Sequence, residues 1–437
     1  MYKRLLVGGL ILTLLVTGCT QPSVETPVLV PASEATEIPS QAEIIEPRQT
    51  SMSPPTPTLT DEPLSISTPS PSPSPSPSPS PHPTPTPAPT PETINPDPDL
   101  PPAGFIIDDT KSNLNRLGRG PGEEYTGPIF DTHAHLDPPS SGNINEDLLN
   151  EIIESVTSAG VVSMIVMPVP NEGMMPYSSL GMEQRIMLRQ IGGDKIKVFY
   201  GSEYISNWLH DAYRSGYKED ELNDVLSRLS EDIDNPECSG VGEIGLFHFN
   251  KTGAQNVIEY PPTFAPYLRI IGLIAERGIW LDLHAEPVDP DGKSYEDQVF
   301  GGLELLFQKH PNLNLILSHT AMTNPTNVRR ILETYPNIMM NFKPITNHNR
   351  WRNLEPITNP EGLLYNDWAE LFEEMPDRFM VGTDEKFGRI QKEKRATEGV
   401  QSIKYEEDIK HMRSILGSIN SNAAELIAYQ NAERIFK

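Results

Sequence analysis

Eight short apolar runs separated by amphipathic segments constrain the fold of this chain more than any other feature. They span Pro128–Leu136, Val161–Pro168, Ile196–Glu203, Gly240–Leu246, Ile279–His284, Leu313–His319, Ile338–Lys343 and Phe379–Asp384. Their β-branched and large apolar residues run almost without interruption, as in parallel strands covered on both faces, rather than alternating as in half-exposed ones. The intervening segments carry helical periodicity, among them Glu146–Ala159, Glu219–Asp232, Phe264–Arg277, Tyr295–His310 and Asn324–Tyr335. Gly160 and Gly278 stand where C-terminal helix caps belong. Strand–helix units spaced by about thirty to forty-five residues predict an α/β fold, a (β/α)8 TIM barrel. A doubly wound open sheet satisfies the same alternation, because alternation alone does not require closure.

What precedes the barrel reads differently. Residues 1–18 form a secretion signal: Lys3 and Arg4, an apolar run from Leu5 to Val16, then Thr17 and Gly18 before Cys19. Val16-Thr17-Gly18-Cys19 resembles the lipobox of bacterial lipoproteins, which implies lipidation of Cys19 and anchoring to a bacterial membrane on the extracytoplasmic side. Residues 19–102 are rich in Pro, Ser and Thr and include an alternating Ser-Pro run from Pro69 to Pro81. Such a segment buries too little apolar surface to fold and is expected to be a disordered tether. At about 3.1 Å per residue in polyproline II, its proline-rich part of roughly fifty residues reaches on the order of 100 Å. The globular domain is expected over 103–437. Setting Cys19 aside leaves only Cys238, so no intramolecular disulfide is available.

The formal charge is −26, of which roughly −19 falls on the globular part. That balance argues against a nucleic-acid partner and against adhesion to anionic headgroups. It says nothing about a substrate.

Barrel enzymes place their chemistry at the C-terminal ends of the strands. Residues that can ligate a metal end five of these runs: His133 and His135 the first, Glu243 the fourth, His284 the fifth, His319 the sixth and Asp384 the eighth. Histidines at i and i+2 of a strand point to one side, so His133 and His135 can reach a single cation. Each residue alone has a bland alternative: a satisfied core histidine, a capping carboxylate or a polar strand end. Six on one barrel face do not. Lys343 ends the seventh run and is a weaker candidate for pairing with a substrate carboxylate or phosphate. Glu203 and Glu286 are candidates to orient a ligand imidazole, or else surface charges, and His210 and His248 have no decisive spacing. Asn347–Arg352 is polar enough for a loop that gates the site, or for a plain surface loop.

The pattern Asp131-Thr132-His133-Ala134-His135-Leu136, Gly242-Glu243-Ile244-Gly245-Leu246, Leu283-His284, Ser318-His319, Gly382-Thr383-Asp384 and Asn431-Ala432-Glu433-Arg434-Ile435-Phe436 resembles the amidohydrolase superfamily of metal-dependent hydrolases. The Gly-Glu-Ile-Gly-Leu segment looks most like the TatD-type branch, and the closing Asn-Ala-Glu-Arg segment more like the amidohydrolase-related branch that includes decarboxylases. Two departures stand out. Glu243 occupies the strand where many members carry a carboxylated lysine, and Phe247-His248 follow Gly-Leu where the TatD-type pattern continues with aspartate.

The resemblance implies one or two divalent ions, zinc being the first choice. In the two-ion form His133, His135 and Asp384 hold one, His284 and His319 the second, and Glu243 bridges. In the single-ion form His133, His135, His284 and Asp384 bind, and His319 contacts the reacting oxygen. Asp384 is the expected catalytic proton shuttle. The implied activity is hydrolysis of a small ester, amide, lactone or phosphoester. A metal-dependent decarboxylase and a surface binding protein with an inert metal site are the alternatives.

Overall fold

The computed structural model describes residues 117–136, 145–170, 181–249, 257–343, 355–388 and 400–437. The signal segment, the tether and the Asn347–Arg352 loop lie outside them. Among the described residues, no helix is long and apolar enough to cross a membrane.

Eight parallel strands close into a barrel. They are β1 (Ile129–Leu136), β2 (Val161–Met167), β3 (Ile196–Gly201), β4 (Cys238–His248), β6 (Trp280–Ala285), β7 (Asn314–Leu317), β8 (Ile338–Phe342) and β9 (Phe379–Val381), in that spatial order. β1 pairs with both β2 and β9, and the Asp131↔Val381 pairing seals the circle. The open-sheet alternative is thereby excluded. Two short strands sit at the rim: β5 (Ile258–Glu259) runs antiparallel to the end of β4, and β10 (Glu385–Phe387) adds to the end of β1. Each sequence run lies on its strand to within a few residues.

Helices wrap the outside. α1 (Glu146–Ser158) is capped by Asn145, whose side chain accepts from Leu148 N at 3.0 Å, and it turns Leu149, Ile152 and Val156 inward at helical spacing. The outer layer continues with α2 (Gly181–Gly192), α3 (Ser202–Ser215) and α4 (Glu219–Asp234). α5 (Ala265–Arg277) buries Tyr267, Ile270, Ile271 and Ile274, each worth about 1.5–3 kcal/mol as an upper bound. It stops at Gly278, whose φ of 66° is the left-handed cap the sequence called for. α6 (Glu296–Lys309), α7 (Pro325–Thr334) and α8 (Asn366–Glu374) complete the ring before the closing helices, which begin with α9 (Val400–Gly417).

The floor of the barrel explains the C-terminal motif. Phe130, Ile165, Phe199, Ile316, Met339 and Met380 come from six strands and form one apolar cluster, which is possible only inside the barrel. Phe436 closes it from below, with ring centroids 6.0 Å from Phe130 and 5.7 Å from Phe199. Asn431 fastens the plug by donating to the carbonyls of Pro376 (2.7 Å) and Phe379 (2.9 Å). The Asn-Ala-Glu-Arg-Ile-Phe segment is thus a structural stopper, at the end opposite the ligand candidates.

Candidate metal centre

The bowl begins with an irregularity in β1. Phe130 belongs to the floor cluster, so strict alternation would send Thr132 and Ala134 inward after it. The β1–β2 ladder instead slips between Asp131 and Ala134, and Ala134 packs into the outer core. That shift of phase aims His133 and His135 into the barrel. Asp131 holds the bend: its carboxylate accepts from His133 N (3.2 Å), Thr383 N (3.0 Å), Thr383 Oγ1 (2.7 Å) and Tyr405 OH (3.0 Å).

Glu243, buried on β4, is the hub. Its Oε2 lies 3.6 Å from His133 Nε2 and 3.5 Å from His135 Nε2. Its Oε1 lies 2.6 Å from His284 Nδ1 and 3.6 Å from His319 Nε2. Asp384 faces it, with Oδ1 3.0 Å from His135 Nε2 and Oδ2 4.0 Å from His319 Nε2. All six residues nominated from sequence therefore meet in one bowl. Two compact donor sets emerge within it: His133 with Glu243 and His319, and His133 with His135 and Asp384.

Two of the six stand beyond a strand end. β7 stops at Leu317, and Ser318–Met322 forms a tight turn with φ of 55° at His319 and 54° at Thr320. The backbone N–H of His319 donates to Asn341 Oδ1 at 2.9 Å, which holds this left-handed excursion. Asp384, at φ 54°, sits between β9 and β10 with its N–H on the His133 carbonyl at 2.8 Å.

Two imidazoles are held by one ring nitrogen and turn the other into the bowl, while a third, that of His284, is engaged at both nitrogens. His133 Nδ1 lies 3.3 Å from Asp282 Oδ2, His135 Nδ1 3.1 Å from the Met167 carbonyl, and His284 Nδ1 against Glu243. This is how metal-binding histidines are oriented, the N–H of one nitrogen fixing the lone pair of the other. Asp282 and Asn341 were not foreseen from sequence. Asp282 also accepts from Asn341 Nδ2 at 3.3 Å and from the Ser318 hydroxyl. The available signal was alternation: Asp282 lies two residues before His284, and Asn341 two before Lys343.

Electrostatics agree with a cation. Glu243, Asp282, Glu286 and Asp384 bring four carboxyl groups into the bowl, and Lys343 and Lys386 both reach one of them, Asp384. Burial opposes ionisation of Asp384, but the two ammonium groups outweigh it and hold its pKa well below the usual range. Glu243 is likewise held well below it, burial being outweighed by His284 and His133. Burial also opposes charge on His284, yet Glu243 and Glu286 push its pKa up to about 9. His319 is kept neutral by burial and by nearby Lys343, and His135 by burial and Lys386. The Nε2 of His133 and the Nδ1 of His319 are buried without a hydrogen-bond partner. Ionised carboxylates, the neutral imidazoles of His135 and His319 and the unpartnered nitrogens together fit a divalent ion, which would take the place of the protons that the neighbouring carboxylates favour on His133 and His284.

The other sequence candidates fall as follows. Lys343 is bound to Asp384. Glu203 is not at a strand end: β3 stops at Gly201, where φ is 96°, and Glu203 in the first turn of α3 accepts from Gly201 N (3.1 Å) and pairs with Arg228 (3.3 Å). His210 Nδ1 meets the backbone of Glu259, so it braces β5. His248 and Glu286 both lie beside His284.

Fold and site together define the class: a TIM barrel whose mouth gathers His, Glu and Asp side chains able to hold a metal ion. No family model and no curated protein sequence matches the chain. Solved structures do. It is similar to a 2,6-dihydroxybenzoate decarboxylase, at 15% identity over 70% of this chain and 99% of that one, with a TM-score of 0.41. A 4-oxalomesaconate hydratase from Rhodopseudomonas palustris matches at 12% identity over 70% and 95%, with a TM-score of 0.44. A TatD homologue from Escherichia coli K12 matches at 14% identity over 70% and 97%, also with a TM-score of 0.44.

Proposed function

We propose that this protein is a metal-dependent hydrolase of the amidohydrolase type, acting on a small ester, amide, lactone or phosphoester. The carrying observation is the convergence of His133, His135, His319, Glu243 and Asp384, with His284 hydrogen-bonded to Glu243, at the C-terminal mouth of the barrel. These residues would hold one or two divalent ions, and zinc suits their nitrogen and oxygen donors. When bound, such an ion supplies Lewis acidity and an acidic water. Asp384 stays ionised beside the two lysines, so it can take a proton from water and pass it to a leaving group. Lys343, bonded to Asp384, would also pair with a substrate carboxylate or phosphate.

The same proposal puts the enzyme outside the cytoplasm, anchored through lipid on Cys19. A Cys19→Ser precursor should lose membrane retention, and equal retention of both forms would dispose of the anchor. The activity is tested with pooled esters, lactones, amides, phosphoesters and carboxylic acids, assayed before chelation, after it, and after zinc is restored. Zinc-dependent hydrolysis that Asp384→Asn abolishes supports the reading. Carbon dioxide release without hydrolysis would make the protein a lyase, and binding without turnover would make it a binding protein.

A further inference from the structure

We propose that His248, His284 and Glu286 form a separate divalent-cation site at the rim of the bowl, taking a zinc-like ion. The argument starts from the two nitrogens of His284. Its Nδ1 is committed inward, 2.6 Å from Glu243 Oε1, and its Nε2 faces the other way, 3.2 Å from Glu286 Oε1. A carboxylate on one nitrogen orients the opposite nitrogen as a ligand, and here that opposite nitrogen looks away from His133 and His135.

The surroundings of that nitrogen are those of a ligand set. The His248 ring stands edge-on to His284, with centroids 4.8 Å apart and an interplanar angle of 88°. Its Nδ1 is buried without a hydrogen-bond partner. One ligand atom from each of the three residues falls within 4.8 Å of the other two. Around a tetrahedral ion with bonds of about 2.0–2.1 Å, ligand atoms stand about 3.3 Å apart, so the His284–Glu286 pair already spans one edge.

Backbone pairing fixes the three before any ion arrives. Glu286 N donates to the Phe247 carbonyl at 2.9 Å, tying the segment after β6 to the end of β4. His248 is itself registered against Ile258 of β5. Two imidazoles and one carboxylate leave at least one coordination position for water. An ordinary His284–Glu286 ion pair accounts for neither the position of His248 nor its unpartnered nitrogen. The site stands apart from the hydrolytic reading: it requires no turnover, and it touches the inner cluster through the His284–Glu243 hydrogen bond.

The test is zinc stoichiometry. Metal-stripped wild type, His248→Ala, Glu286→Gln and His133→Ala are dialysed against buffered zinc, and bound metal is counted by elemental analysis with circular dichroism as a check on folding. Wild type should hold one more zinc than His248→Ala, and Glu286→Gln should weaken that ion at least tenfold. His133→Ala should keep the rim ion while losing inner metal, which separates failure of this site from failure of the inner centre. If His248→Ala does not fold, Glu286→Gln decides alone. Folded His248→Ala and Glu286→Gln proteins that bind zinc with wild-type number and affinity would overturn the proposal. So would a wild type that binds none.

Discussion

Replacing Asp282 by asparagine isolates one element of the metal account, because Asp282 is fully buried and lies beneath the ligands rather than among them. Its Oδ2 faces His133 Nδ1 at 3.3 Å and Asn341 Nδ2 at 3.3 Å, and its Oδ1 accepts from the Ser318 hydroxyl. Asparagine keeps the shape but removes the charge and puts N–H donors where an acceptor stood. His133 then loses the anion that fixes its tautomer and strengthens Nε2 as a donor. Loss of such a partner weakens metal binding about 10- to 100-fold, or roughly 1.4–2.7 kcal/mol. Stability should fall too, by up to about 3 kcal/mol, because the Ser318 and Asn341 donors lose a charged acceptor. Zinc competition against a chromophoric chelator at neutral pH measures the first effect and thermal unfolding the second. A folded Asp282→Asn protein with wild-type zinc affinity would refute the claim that this carboxylate orients a ligand.

Phe436→Ala should cost about 3–5 kcal/mol, because it opens a cavity against Phe130 and Phe199 at the barrel floor. Denaturant unfolding checks it, and a loss below about 1 kcal/mol would mean that the plug is dispensable. The raised pKa of His284 has two consequences. In the metal-free protein its contribution to stability is complete below about 6.5 and disappears as pH rises through about 9. A ligand imidazole must give up its proton, so zinc added at pH 7.5 should release protons into a weakly buffered solution. Zinc binding without proton release would place His284 outside the metal sites.

The barrel was legible because continuous β-branched runs and capped amphipathic segments leave few other ways to bury their apolar surface. The C-terminal strand ends then followed from the fold, and with them His133, His135, Glu243 and His284. What sequence did not show was backbone that leaves the strand. His319 and Asp384 reach the bowl through left-handed residues that carry no glycine as a marker, so both were read as strand ends. The β1 irregularity that turns His133 inward leaves no trace in the residue types of Ile129–Leu136, where polar and apolar residues fit either phase. Asp282 and Asn341 were hidden differently, as polar residues inside apolar strands whose inward face becomes known only once the barrel has closed. His248 had no spacing to recommend it, because its link to His284 runs between neighbouring strands.

The central claim is that His133, His135, Glu243, His319 and Asp384 hold a divalent ion at the mouth of the barrel. Anomalous diffraction at the zinc edge, from crystals of the zinc-loaded protein, tests it most directly. The account predicts a strong peak bonded to His133 Nε2 and to at least one carboxylate oxygen of Glu243 or Asp384, and its loss in His133→Ala. A fully loaded wild-type crystal with no anomalous density among these residues would contradict it.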